Sequence, residues 1–135
     1  MVPFIQNVPL KAVAQGFHYD AGINSMLIQI VDPCMEFPVP KHQFREVHRF
    51  EFLDEEDTEN PFSITPMQAA ELVALLQHAL ENEMNVTVHC VAGLCRSGAV
   101  AEVGVMLGFR DAETERLPNT LVKTSMMRVL GWTYD

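Results

Sequence analysis

The sequence predicts one α/β domain with a mostly parallel central sheet and helices on both faces. Three observations predict it. Short apolar or β-branched runs at 26–31, 47–53 and 85–88 alternate with stretches of helical character. Strands separated by helices pair in parallel, with both sheet faces covered. The length of 135 residues suits a single domain spanning 1–135.

The elements follow in chain order. Residues 8–20 open with helix character from Pro9 to Gln15 and stop at Gly16. Met26-Leu27-Ile28-Gln29-Ile30-Val31 reads as a buried strand, closed by the turn Asp32-Pro33. Pro33, Pro38 and Pro40 make 33–43 a loop. Val47 to Leu53 alternates apolar and polar residues, as a strand does. An acidic stretch follows, from Asp54 to Asn60. Thr65-Pro66-Met67-Gln68 is a helix start, with a cap, a first-turn proline and a capping box. That helix runs to about Glu81, with an expected apolar face of Met67, Ala70, Leu72, Val73, Leu76, Ala79 and Leu80. Asn85-Val86-Thr87-Val88 is a short strand. A second helix starts near Arg96 and stops before Gly108. The nine residues Phe109 to Leu117 leave room for a linker or one short turn. Asn119 caps a last helix, through Leu130, that Gly131 stops.

Charge and composition narrow the function. Eighteen acidic residues against nine basic ones give a net charge of −9. An acidic body repels phosphate backbones, which argues against a nucleic-acid partner. No run reaches the roughly 18 apolar residues of a membrane span. The start MVPFIQNVPLK has no basic region leading into a long apolar one, so the expected compartment is the cytoplasm. Three cysteines, an odd number, leave at least one free thiol.

The chemistry concentrates between the third strand and the helix after it: His89-Cys90-Val91-Ala92-Gly93-Leu94-Cys95-Arg96-Ser97-Gly98. Backbone N–H groups of a tight loop can converge on one point, and the helix that follows adds its positive end. Gly93 allows a backbone conformation that larger residues resist. Arg96 can fold its planar fork onto the same point and grip two phosphate oxygens. Such surroundings pull thiols from about 8.5 to roughly 3.5–7.5, so a cysteine there is expected as a nucleophilic thiolate. The predicted binding set is therefore Val91, Ala92, Gly93, Leu94, Cys95 and Arg96 around Cys90. Ser97 has two readings, a hydroxyl returned to the sulfur or a plain helix cap.

The string His-Cys-x-x-Gly-x-x-Arg-Ser after a strand and before a helix is the signature of cysteine-dependent protein tyrosine phosphatases. The chain resembles their compact dual-specificity branch, and Ile28 to Pro33, Phe52-Leu53-Asp54 and the helix after Pro66 look like small bacterial and phage-type members. The resemblance implies a protein tyrosine phosphatase-like fold and hydrolysis of phosphotyrosine, with phosphoserine and phosphothreonine as further substrates. It implies that His89 buttresses the loop and that Leu117-Pro118-Asn119 places Asn119 to brace it. It also implies an aspartic acid after the second strand as proton donor. Asp54, which ends that strand, is favoured and Asp57 is the alternative. The rest of the acidic run, Glu55, Glu56 and Glu59, is expected as a solvated loop. Neither chemical step calls for a metal or cofactor, and no cluster has zinc spacing.

Cys95 departs from most dual-specificity enzymes and is similar to the second loop cysteine of low-molecular-weight tyrosine phosphatases. There it can pair with the nucleophile on oxidation, so a reversible Cys90–Cys95 disulfide is one reading. A small loop residue without that role is the other. Asp32-Pro33 reads only as a turn, and Cys34 as structural. The competing functions are an RNA 5′-phosphatase of the same superfamily, disfavoured by charge, and a phosphate-binding module without turnover. A phosphorylated protein or peptide is the expected partner.

Overall fold

The computed structural model describes residues 2–132. The chain runs β1 (Phe4–Pro9), α1 (Leu10–Gln15), β2 (Ser25–Val31), β3 (Glu46–Glu51), α2 (Pro66–Glu81), β4 (Asn85–Cys90), α3 (Arg96–Leu107), β5 (Arg110–Asp111) and α4 (Thr120–Val129). The strands form one sheet in the order β3-β2-β4-β1-β5, and every neighbouring pair is parallel. The sheet is thus wholly rather than mostly parallel.

Burial explains the arrangement. β2 lies between β3 and β4, and all seven of its residues are buried. Alternate strand residues then serve opposite faces. Ile5, Ile28, Val86 and Val88 join Leu72, Leu76, Val100 and Met126 in the larger core, under α2, α3 and α4. Val8 and Leu27 join Ala12, Val13 and Phe44 in a smaller core, under α1. Both faces are covered, as the sequence predicts.

Three elements differ from the sequence-based expectation. β1 is a strand where Pro9 and the polar pair Gln6-Asn7 give no strand pattern. Gln6 and Asn7 are nevertheless buried, because each polar end has a partner. The Gln6 amide, for example, donates to Thr87 Oγ1 and to the Tyr19 carbonyl. The segment after Gly108 is more than a linker: Arg110 and Asp111 add an edge strand beside β1. On α2, Met67 and Ala70 are exposed while Ala69 is buried. At about 100° per residue, Met67 falls on the far side from the stripe 69, 72, 73, 76 and 79. The start of α2 is as read: Thr65 Oγ1 accepts from the Gln68 N–H, and the Gln68 side chain returns to the Thr65 N–H.

Because every strand is parallel, all the C-terminal strand ends share one edge of the sheet. The connections leaving that edge are where open α/β sheets hold ligands. The loop 91–95, between β4 and α3, is one of them.

Candidate active site

Register brings the loop against β1. β1 and β4 end together, with Pro9 opposite Cys90. Residues 91–95 then turn directly from β4 into α3. Gly93 has φ +77, and a Cβ added there would lie 2.2 Å from the Pro9 nitrogen and 2.4 Å from the Val8 carbonyl carbon. Only glycine fits both the backbone and the space.

What surrounds the loop sets where its amides point. The Val91 carbonyl accepts from the Leu10 N–H at 3.2 Å. The Gly93 carbonyl accepts from the Asn7 side-chain amide at 2.8 Å. The Leu94 and Cys95 carbonyls accept from the N–H groups of Leu117 at 3.0 Å and Asn119 at 2.9 Å. Four carbonyls are thus drawn outward by neighbouring segments. In a trans peptide the next residue's N–H points the opposite way. The N–H groups of Ala92, Leu94, Cys95 and Arg96 therefore turn to the inner side of the loop. The result is a cradle of donors at the start of a twelve-residue helix.

Cys90 forms its floor. The thiol is buried, accepts the Gly93 N–H at 3.2 Å and lies 3.1 Å from Ser97 Oγ. The Ser97 hydroxyl is therefore turned to the sulfur. The capping alternative is not realised, because Cys95 occupies the N-cap position of α3.

Arg96 is 4% exposed. Its Nη1 donates to Asp32 Oδ1 and to the Phe52 carbonyl, each at 2.7 Å. Its Nε is buried and has no hydrogen-bond partner among the described residues. One edge of the guanidinium is anchored, and a donor on another is left for a ligand. Asp32 is thus more than a strand-closing turn, and the sequence reading missed it. Asn7 was missed too. It holds Gly93 and Glu115 by their carbonyls, while Thr114 donates to its Oδ1. The polar pair Gln6-Asn7 inside an otherwise apolar β1 was the available signal.

The two candidate acids part company. Asp54 Oδ1 accepts from the Asn119 side-chain amide at 2.8 Å. Asp54 also bears on Cys95: burial first, then the Asp54 carboxylate, pushes that thiol's pKa upward. Asp57 instead closes a local turn, accepting the Glu59 N–H at 2.9 Å. Asn119 holds two loops at once: its backbone N–H bonds the Cys95 carbonyl of the 91–95 loop, and its side-chain amide bonds Asp54 and the Glu55 carbonyl. Its oxygen meanwhile caps α4 through the Val122 N–H. Glu56 is no free solvated charge either. It accepts from the Thr120 N–H and hydroxyl, which lowers its pKa.

His89 is fully buried behind the loop, and its pKa is pulled down to about 4, chiefly by burial. It is therefore neutral at physiological pH. Cys34 is exposed, with a positive φ, so it is no buried structural thiol. No group of three His, Cys, Asp or Glu side chains among the described residues could hold a metal ion. No described helix is long and apolar enough to cross a membrane.

No family model and no curated protein matches the chain. Solved structures do. Human DUSP28 is similar over 98% of this chain and 82% of its own, with a TM-score of 0.57 and 16% identity. OH1 from the Orf virus, described as a tyrosine phosphatase with triple substrate specificity, is similar over 93% of this chain and 81% of its own. Its TM-score is 0.53, also at 16% identity. The resemblance drawn from the loop holds at the level of fold: this is the single-domain α/β architecture of the dual-specificity phosphatases.

Proposed function

We propose that the chain is a phosphomonoester hydrolase acting on phosphotyrosine, and on phosphoserine and phosphothreonine, in protein substrates through a phosphocysteine intermediate. One observation carries the reading: Cys90 lies under a cradle of inward N–H groups, beside an arginine with an unpartnered Nε. The fold shared with two phosphatases supports it.

In the first step Cys90 Sγ attacks phosphorus in line. The S–P bond forms, the P–O bond to the leaving group breaks, and Asp54 gives its proton to the departing oxygen. Arg96 and the loop amides hold the equatorial oxygens, where charge grows. In the second step water attacks phosphorus and gives its proton to the Asp54 carboxylate. The S–P bond breaks, inorganic phosphate leaves, and the Ser97 hydroxyl receives the thiolate. Asn119 on Asp54 supports this assignment over Asp57. We further propose Cys95 as a resolving thiol that forms a disulfide with Cys90 under oxidation.

The test is hydrolysis of an aryl phosphate in the presence of a chelator. Turnover is expected from the native protein and none from Cys90→Ser. Residual turnover in Cys90→Ser sinks the covalent mechanism. On a substrate with a poor leaving group, Asp54→Asn is expected to lose about 10²–10⁴-fold and Asp57→Asn to stay near native. The reverse order moves the acid to Asp57. A chain that binds inorganic phosphate without turning over any ester would be a phosphate-binding module.

A further inference from the structure

The cradle attracts anions, yet the loops around it carry the opposite charge. All five strands point their C-terminal ends to one edge. The segments leaving that edge hold nine of the chain's eighteen acidic residues: two in 32–36, five in 54–59 and two in 113–115. These segments reach the cradle. Asp32 pairs with Arg96, and Asp54 is held by Asn119, whose N–H grips the Cys95 carbonyl. The Asn7 amide joins Glu115 to Gly93. Glu36, Glu59 and Glu115 are solvent-exposed or nearly so.

Little positive charge offsets them. Arg116, in the third segment, is bound to Asp111 at 2.7 Å and to Glu102 at 2.9 Å. Arg96 lies below the rim, buried. Lys11, just past β1, is a base close to the loop, since Leu10 beside it bonds Val91. Arg49 on β3 is engaged by the Gln29 amide oxygen and the Phe37 ring, and Lys123 pairs with Glu102. Arg45 lies at the other end of the sheet, where its N–H bonds the Ser25 carbonyl at the start of β2.

A positive point inside a negative rim discriminates by what surrounds the phosphate. We propose that the site selects phosphorylated residues flanked by lysine and arginine. It disfavours phosphate groups set among further anions, such as acidic peptides. This rests on the reading of the cradle as a phosphatase site and names its substrate class. Exposed charges act over about 10 Å at 0.1 M salt, so several rim carboxylates add their effects on the flanks.

The experiment compares two phosphotyrosine peptides of equal length, one with Lys and Arg flanks and one with Glu and Asp flanks. An aryl phosphate with no flanking charges serves as reference. At low salt, kcat/KM is expected to favour the basic peptide by about tenfold, and 0.5 M salt reduces that ratio to near unity. The triple variant Glu36→Lys, Glu59→Lys, Glu115→Lys is expected to cancel or reverse the preference while leaving aryl phosphate hydrolysis at the native rate. Equal rates for the two peptides overturn the inference, as does a preference that ignores both salt and charge reversal. Binding of the same peptides to Cys90→Ser, read by fluorescence anisotropy, makes the comparison independent of turnover. Failure to hydrolyse the aryl phosphate would overturn the catalytic reading, whereas equal peptide affinities would overturn the charge selectivity.

Discussion

Replacing Asp32 by asparagine keeps the side chain's shape and removes its charge. The bond at stake is short: Arg96 Nη1 to Asp32 Oδ1 is 2.7 Å. A charge-assisted bond of this kind contributes about 1.5–3 kcal/mol when shielded from water. Here the Arg96 side chain is 5% exposed but that of Asp32 is 46% exposed. Solvent screens the pair, so the loss in folding stability is expected to be about 1 kcal/mol. The loss in rate should be larger. The guanidinium keeps its Phe52 carbonyl anchor and only a neutral, weaker bond to the asparagine oxygen, so its free donor edge gains freedom to tilt. A misplacement of about 1 Å can cost about 10²-fold in rate, so a drop of about 10–100-fold in kcat/KM is expected. The assay is a double-mutant cycle with Arg96→Lys, read in kcat/KM and in urea unfolding. If Asp32 acts by positioning Arg96, its substitution costs little once Arg96 is gone. Equal losses in both backgrounds would refute the reasoning, and so would a native rate in Asp32→Asn alone.

Three further outcomes are expected. Gly93→Ala places a methyl group 2.2 Å from the Pro9 nitrogen at φ +77, so the loop must move and activity should be lost. Thermal unfolding checks that the fold survives; full activity would contradict the packing argument. His89 sets a pH dependence. Its folded pKa, about 4, lies below the unfolded value near 6.5, so the unfolded chain binds the extra proton between them. Stability from this group is therefore complete above about pH 6.5 and lost as pH falls toward 4, by about 3 kcal/mol at most. Urea unfolding at pH 7.5 and 5 should show a steeper decline for the native protein than for His89→Asn. Cys95→Ser is expected to lose the recovery by thiol that native protein shows after mild peroxide, with a Cys90–Cys95 disulfide seen by mass spectrometry in the native protein alone. Unchanged recovery in Cys95→Ser would remove Cys95 from that role.

Much of this was legible because the local signals agreed with the tertiary structure. Apolar β2 became a central strand, Thr65 to Gln68 became a capping box, and Gly93 sits where only glycine fits. What stayed hidden depended on contacts distant in sequence. β1 looks unlike a strand because Gln6 and Asn7 are polar, and their partners lie as far as 81 and 108 residues away. The anchoring of Arg96 by Asp32 spans 64 residues. No local pattern marks Asp32 as different from any aspartate before a proline. Asn119 was readable as a cap, since that bond is local, but its grip on Asp54 spans 65 residues. The choice of Ser97 partner also depended on the fold, because it turned on whether Cys95 or a later residue began the helix.

The ties between the acid loop and the start of α4 bear on motion. Asn119 bonds Asp54 and the Glu55 carbonyl, and Glu56 bonds Thr120 twice. A lid that swung open over the cradle would have to break all four at once, and Asn119 is itself fastened to the Cys95 carbonyl. The Asp54 loop and the cradle are therefore tied into one unit. Under the proposed chemistry the reactive geometry is assembled before substrate arrives, with no flap to wait for, and turnover is expected to be nearly insensitive to solvent viscosity.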